Sequence, residues 1–298
     1  MLVRLTYVLV IIIWATTPLA IKLGGDSLEP LASLSLRIAL AFGVGCVLST
    51  LAGWQGLMVR RHWQLYLAAS LSLFPNMALV YWAATYLPSG LISLLFALAP
   101  FFTLLLAGPI LGESTLSPRK VAALVLALSG LGVLLVGDEG LPPGSGRGIL
   151  LMLGANGVFS FSALWVKRLN ARFAVPPVEQ ALGAMAFALP GMGLCWWLTS
   201  VGTPLSVSAI SLASLLYLAI FGSLVGFVAY YSILRQLSVE SVSLIPLITP
   251  VMAIALGAMI MGESISVRML LGASMILIAL ALHQGVLGRL HGVKPGPQ

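Results

Sequence analysis

Long apolar stretches alternate with short polar punctuation along the whole chain. A helix needs about 20 mostly apolar residues to cross a bilayer, and such stretches follow one another here. The first predicted helix covers residues 5–23 and is broken by Gly24, Gly25 and Asp26. The second covers 30–51 and the third 64–86. Pro88, Ser89 and Gly90 make a tight turn into the fourth, which ends near Leu111. Ser117 and Pro118 read as N-cap and first helical position of a fifth, ending near Val136. Residues 137–148 form the longest Gly/Pro-rich link and mark the midpoint. Five more helices follow, over 148–167, 178–200, 209–234, 240–261 and 267–287. The pattern predicts an all-α membrane protein with ten transmembrane helices. The first run leads directly into further spans, so it reads as a helix and not as a cleaved signal.

Composition sharpens this. Of 298 residues, 60% are hydrophobic and 8% charged, whereas a soluble domain carries about 25% charged residues. The surface of a soluble globule could not be covered. Disorder requires the opposite composition. Ten spans use about 200 residues, which leaves no room for a large soluble domain. The net charge of +7 would suggest a nucleic-acid partner, but the bases are spread among short loops. With the N-terminus in the cytoplasm, eleven of the fifteen bases lie on the cytoplasmic side: Arg4, Arg60, Arg61, Arg119, Lys120, Lys167, Arg168, Arg172, Arg235, Arg289 and Lys294. Lys22, Arg37, Arg147 and Arg268 fall in the outer half. This bias predicts cytoplasmic termini, with a disordered tail over 289–298. Cys46 and Cys195 sit in apolar runs and read as small buried hydrophobes.

The chain also repeats itself. Residues 81–114 aligned with 231–264 give ten identities in 34 positions, including Pro100/Pro250 and the triplet Gly112-Glu113-Ser114 against Gly262-Glu263-Ser264. Composition alone gives about three. Five helices per half reverse sidedness, so the halves, 1–137 and 148–288, are expected to be inverted repeats, a transporter arrangement.

Trp14, Lys22, Pro30 and Arg37, together with the twin Gly-Glu segments and Pro100 and Pro250, resemble the drug/metabolite transporter superfamily in its ten-helix EamA-type branch. The resemblance covers nearly the whole chain. It implies a bacterial inner-membrane exporter of amino acids, metabolites or drugs, whose central cavity is lined by helices 1, 3 and 4 of one half and 6, 8 and 9 of the other. One departure is that the rough counterpart of Arg37 in the second half is Ala184.

Candidate chemistry is sparse. His62, His283 and His291 show no metal-binding spacing, and all eight acids fall at helix ends or in loops. An enzyme and a cofactor are therefore not expected, and the path should be built from aromatic, hydroxyl, amide and backbone groups. Candidate cavity residues are Trp14, Thr17, Asn76, Tyr81, Phe96, Asn156, Ser160, Trp165, Tyr230, Tyr231 and Ser243. For Asn76 and the stripe Asn156–Ser160, an interhelical hydrogen bond and a cavity wall are both open, because an amide in hydrocarbon wants a partner. Pro100 and Pro250 free mid-membrane carbonyls and read as kinks or hinges. Lys22 either snorkels to the interface or holds a gate. Glu113 and Glu263 either charge-stabilise the helices that follow them or form gating contacts. Arg37 needs a partner, and Asp26 and Glu29 are near in sequence. Gly222 and Gly226 form a GxxxG packing pattern.

The expected function is export of amino acids or related small metabolites, with aromatic or bulky neutral ones suggested by the ring content, by a monomer in the bilayer working through alternating access. Multidrug or organic-cation efflux is the alternative within transport, and a non-transporting membrane scaffold the alternative outside it.

Overall fold

A computed structural model describes residues 2–53, 56–112, 117–135, 144–199, 207–236 and 245–285. The described residues are helical, with no strand among them. The first half contains α1 (Leu2–Gly24), α2 (Pro30–Leu51), α3 (Val59–Ser70), α4 (Asn76–Ala84), α5 (Ser89–Phe96), α6 (Ala99–Leu111) and α7 (Pro118–Leu135). The second contains α8 (Ser145–Asn170), α9 (Pro177–Thr199), α10 (Ala209–Tyr217), a π-helical stretch (Leu218–Val225), α11 (Gly226–Gln236), α12 (Ile245–Met261) and α13 (Val267–His283). Among the described residues, six stretches are long and apolar enough to cross a membrane, and α12 and α13 are shorter apolar helices.

Local chemistry explains the ends. Pro30 opens α2 in its first turn, where a missing N–H costs nothing. Ser208 caps α10 by accepting from the Ser211 N–H at 3.1 Å, and Ser266 caps α13 by accepting from the Met269 N–H at 3.1 Å. Gly112 and Gly262, at matching places in the repeat, adopt φ of 72° and 64° where α6 and α12 end. That left-handed conformation is why the repeated motif begins with glycine.

Two expected helices are broken. The third is interrupted between α3 and α4, ahead of Pro75. The fourth is interrupted at Ala97 and Leu98, and Pro100 sits in the first turn of α6 rather than in mid-helix. Proline removes one helical hydrogen bond and clashes with the preceding turn, so each break falls just before a proline.

α1 packs against α12 and against α10, the π stretch and α11, while α8 packs against α3, α4, α5 and α6. α2 lies on α9 and the π stretch, and α3 on α9. α5 crosses α12, and α7 pairs with α13. In that last pair the backbones touch: a Cβ on Gly130 would lie 2.9 Å from the Gly272 carbonyl oxygen, and one on Gly272 would lie 2.9 Å from that of Gly130. Fully buried side chains such as Leu34, Ile38, Leu65, Leu91 and Leu94 fill the interior. Leu105, Val125, Leu128, Leu150, Met259 and Leu271 are exposed, as side chains facing lipid would be.

Candidate functional site

A cavity lies among α1, α2, the two broken helices, α8, α11 and α12. It offers about 120 Å³ to water-sized molecules. Trp14, Thr17, Pro18 and Ile21 of α1 form one wall, and Met77, Ser93, Phe96, Ala97 and Ala99 another. Phe159, Gly222, Phe227, Pro246 and Thr249 complete it, with Arg37. The walls are therefore mostly aromatic and aliphatic, with three hydroxyls and one charged group among the described lining residues.

An aromatic cluster backs this wall. Trp14 packs on Tyr230 with ring centroids 4.9 Å apart, Tyr230 on Tyr231 at 5.6 Å, and Tyr231 on Phe227 at 6.2 Å. Of the sequence candidates, Trp14, Thr17 and Phe96 line the cavity directly, whereas Tyr230 and Tyr231 stand behind it. Pro246, not Pro250, is the proline of α12 that reaches the wall.

The amides have other work. Asn76 Nδ2 donates to the Ser72 carbonyl at 2.9 Å, while its backbone N–H slips back to Leu71 at 3.4 Å. The side chain thus replaces its own main chain across the break. Asn156 Nδ2 donates to the Leu95 carbonyl at 2.7 Å, and Ser160 to the Ala99 carbonyl at 2.9 Å. Two side chains one turn apart on α8 satisfy two carbonyls flanking the break between α5 and α6. Neither they nor Asn76 are among the residues that line this cavity, and each of these side chains makes an interhelical or local hydrogen bond. Trp165 lies against Phe161, at 5.6 Å, also away from the cavity wall. Ser243 and Glu113 lie outside the described residues.

The end of the bundle near Lys22 is closed by polar contacts between the halves. Lys22 Nζ donates to the Leu87 carbonyl at 2.7 Å. Glu263 accepts from the Ser89 N–H at 2.7 Å, the Ser89 hydroxyl at 3.0 Å and the Gly90 N–H at 3.3 Å. It therefore caps α5, distant in sequence, and not α13, which Ser266 caps; the helix dipole and free N–H groups of α5 favour a carboxylate there. Lys22 is within electrostatic reach of Glu263. Alongside, Ser27 and Ser211 hydroxyls lie 3.0 Å apart, Ser211 donates to the Gly24 carbonyl at 2.9 Å, and Ser208 donates to Asp26 at 2.7 Å.

Arg37 does not form the ion pair expected from its neighbours in sequence. Its side chain points inward, where Nε donates to Ser223 at 2.7 Å and Nη1 to the Tyr81 hydroxyl at 3.2 Å. Ser223 belongs to the π stretch, and a Cβ at Gly222 would lie 3.2 Å from Nη2. Gly222 thus makes room for the guanidinium, while Gly226 approaches Ile13 of α1. Tyr81 also lines a vestibule of about 460 Å³ bounded by Lys22, Asp26 and Met261. The Arg37–Tyr81 bond therefore lies in the partition between vestibule and cavity.

Sequence reasoning also missed a buried cluster on α3 and α9. His62 Nδ1 lies 3.0 Å from Glu179, and Tyr66 donates a hydrogen bond to the same carboxylate. Glu179 sits in the first turn of α9, so its helix-end position concealed its burial. The (i, i+4) spacing of His62 and Tyr66 was the available signal.

A helical membrane protein with broken helices around an internal cavity has the build of a small-molecule transporter. The EamA-like transporter family model matches residues 2–136 and 146–283, and the chain belongs to that family. It is similar to the "probable terminal-alkyne amino-acid exporter" of Streptantibioticus cattleyicolor, 28% identical over 86% of this chain and 84% of the relative. It is also similar to the "probable amino-acid metabolite efflux pump" of Escherichia coli K12, 24% identical over 92% of each. The "uncharacterized inner membrane transporter YedA" of the same organism is 26% identical over 91% of this chain and 87% of the relative. A solved crystal structure has the same fold, with a TM-score of 0.68 and 22% identity over 96% of this chain and 98% of that one.

Proposed function

We propose that the protein exports amino acids or related small metabolites, aromatic or bulky neutral ones included, by alternating access. The observation that carries this is the pairing of a mostly apolar, ring-lined cavity with a set of polar contacts that join the two halves near Lys22. Two relatives are named for amino-acid export. Organic-cation efflux would be served by an acid in the wall, and no described lining residue is one.

In this reading ten crossings form two inverted five-helix halves, 1–137 and 148–288. The family model matches each half separately. Packing supports the same reading: exchanging the halves turns the α1–α12 contact into that of α8 with α5 and α6, and leaves α2–α9 and α7–α13 as self-matching pairs. The molecule would act as a monomer in a bacterial inner membrane with cytoplasmic termini. Lys22 and Glu263 would form the outer gate, Glu113 its inner counterpart, and Pro100 and Pro250 the hinges.

Counterflow into proteoliposomes tests this. Vesicles loaded with one unlabelled amino acid should accumulate the same labelled compound for one chemical class, and a pH gradient shows whether protons are coupled. Trp14→Ala is expected to lower exchange about tenfold or more, as loss of an aromatic contact of about 1.4 kcal/mol would, and Tyr81→Ala to lower it by removing the hydroxyl that holds Arg37. Absence of exchange for every amino acid would overturn the reading.

A further inference from the structure

We propose that Arg37 is the anchor for a carboxylate on the transported molecule, so that the cargo is a monoanionic carboxyl group on an apolar body. This deepens the reading of the cavity as a transport site and rests on it. A guanidinium stays protonated in proteins, and Arg37 is 1% exposed. Its two hydrogen bonds go to the neutral hydroxyls of Ser223 and Tyr81. Among the described residues it has no carboxylate partner. A charge in a membrane interior is costly and is retained where it pairs or binds.

Arg37 and Gly222 both line the cavity, and Nη2 of Arg37 lies on the Gly222 side, where the wall carries no side chain. Planar N–H groups match the two oxygens of a carboxylate. One cation balances one negative charge. The remaining wall, with Trp14, Phe96, Phe159 and Phe227, suits an apolar body and would leave the second charge of a phosphate ester uncompensated. Thr17, Ser93 and Thr249 supply hydroxyl oxygens that can accept from an α-ammonium.

The test compares acids with their amides. Purified full-length protein in detergent is titrated with 3-phenylpropanoate and 3-phenylpropanamide, then with L-phenylalanine and L-phenylalaninamide, and affinity is read from the rise in unfolding midpoint. In the wild type each acid should bind at least about tenfold tighter than its amide, the span of a charge-assisted hydrogen bond. In Arg37→Gln that preference should fall to about one, and in Arg37→Lys, which keeps the charge without the fork, to an intermediate value. A merely structural Arg37 would shift overall stability without changing the acid-to-amide ratio. Equal binding of acid and amide by the wild type, no binding of either acid, or a preference retained in Arg37→Gln would overturn the proposal. The wild-type pairs decide the matter even if a variant fails to purify. Acid preference without any amino-acid counterflow would sink the export reading and leave Arg37 as the anchor; counterflow without acid preference would do the reverse.

Discussion

Asn156 and Arg37 mark what single residues disclose in sequence and what they withhold. The stripe of Asn156 and Ser160 on one helical face was legible, because i, i+4 spacing fixes a shared direction. Its partners were not, because they are main-chain carbonyls of Leu95 and Ala99, exposed by a break 61 residues earlier in the chain. Arg37 was legible as a charge in need of company. Its company is Ser223, 186 residues away, and only the packing of α2 on the π stretch brings them together. Glu263 was legible as a capping acid, but the helix it caps is fixed by tertiary structure. Asn156→Ala should cost about 1 kcal/mol of stability, the low end for a lost buried hydrogen bond, because the Leu95 carbonyl also accepts from the Leu98 N–H at 3.1 Å. Thermal unfolding of the purified variant checks this, with Ser160→Ala beside it as the milder change, since the Ala99 carbonyl keeps its bond from Thr103 at 3.1 Å.

Elements were readable where glycine, proline or a capping serine ends them. The second helix runs over 30–51 as its pattern predicts. The breaks before Pro75 and Pro100 were harder to read, because hydropathy runs through both without change. The π stretch was invisible for the same reason: its eight residues, LAIFGSLV, are an ordinary apolar segment, and the wider turn shows only in the backbone. Close helix approach is likewise a property of pairs. Gly130 and Gly132 look alike in sequence, yet a Cβ at Gly132 meets nothing within 4 Å, while one at Gly130 meets α13. Gly130→Leu should therefore destabilise the fold by about 1–3 kcal/mol through overpacking, and Gly132→Leu by much less. Chemical or thermal unfolding of the two variants side by side distinguishes them.

At the scale of the molecule, the closure near Lys22 ties α1 to the turn before α5, the segment after α12 to the start of α5, and the turn after α1 to α10. These are the bonds that alternating access would have to break. Ser27 and Ser211 present their hydroxyls 3.0 Å apart, so Ser27→Cys with Ser211→Cys should form a disulfide on oxidation, in a background where Cys46 and Cys195 are replaced by serine. Exchange in proteoliposomes should then stop and return on adding reductant; exchange that continues in fully cross-linked protein would show that this contact need not open.

The buried guanidinium also gives the cavity an electrical character. Empty, its wall carries one positive charge. A simple carboxylate would make the filled cavity neutral, whereas a zwitterionic amino acid would restore the single positive charge with its ammonium. Moving one elementary charge across a full membrane potential of 100 mV is worth about 2.3 kcal/mol, and a rearrangement that carries the cavity through part of that field takes part of that energy. With a simple carboxylate aboard, the membrane potential acts on the empty return and not on the laden step. With a zwitterion aboard it acts on both, so the voltage dependence of efflux reports the charge of the cargo.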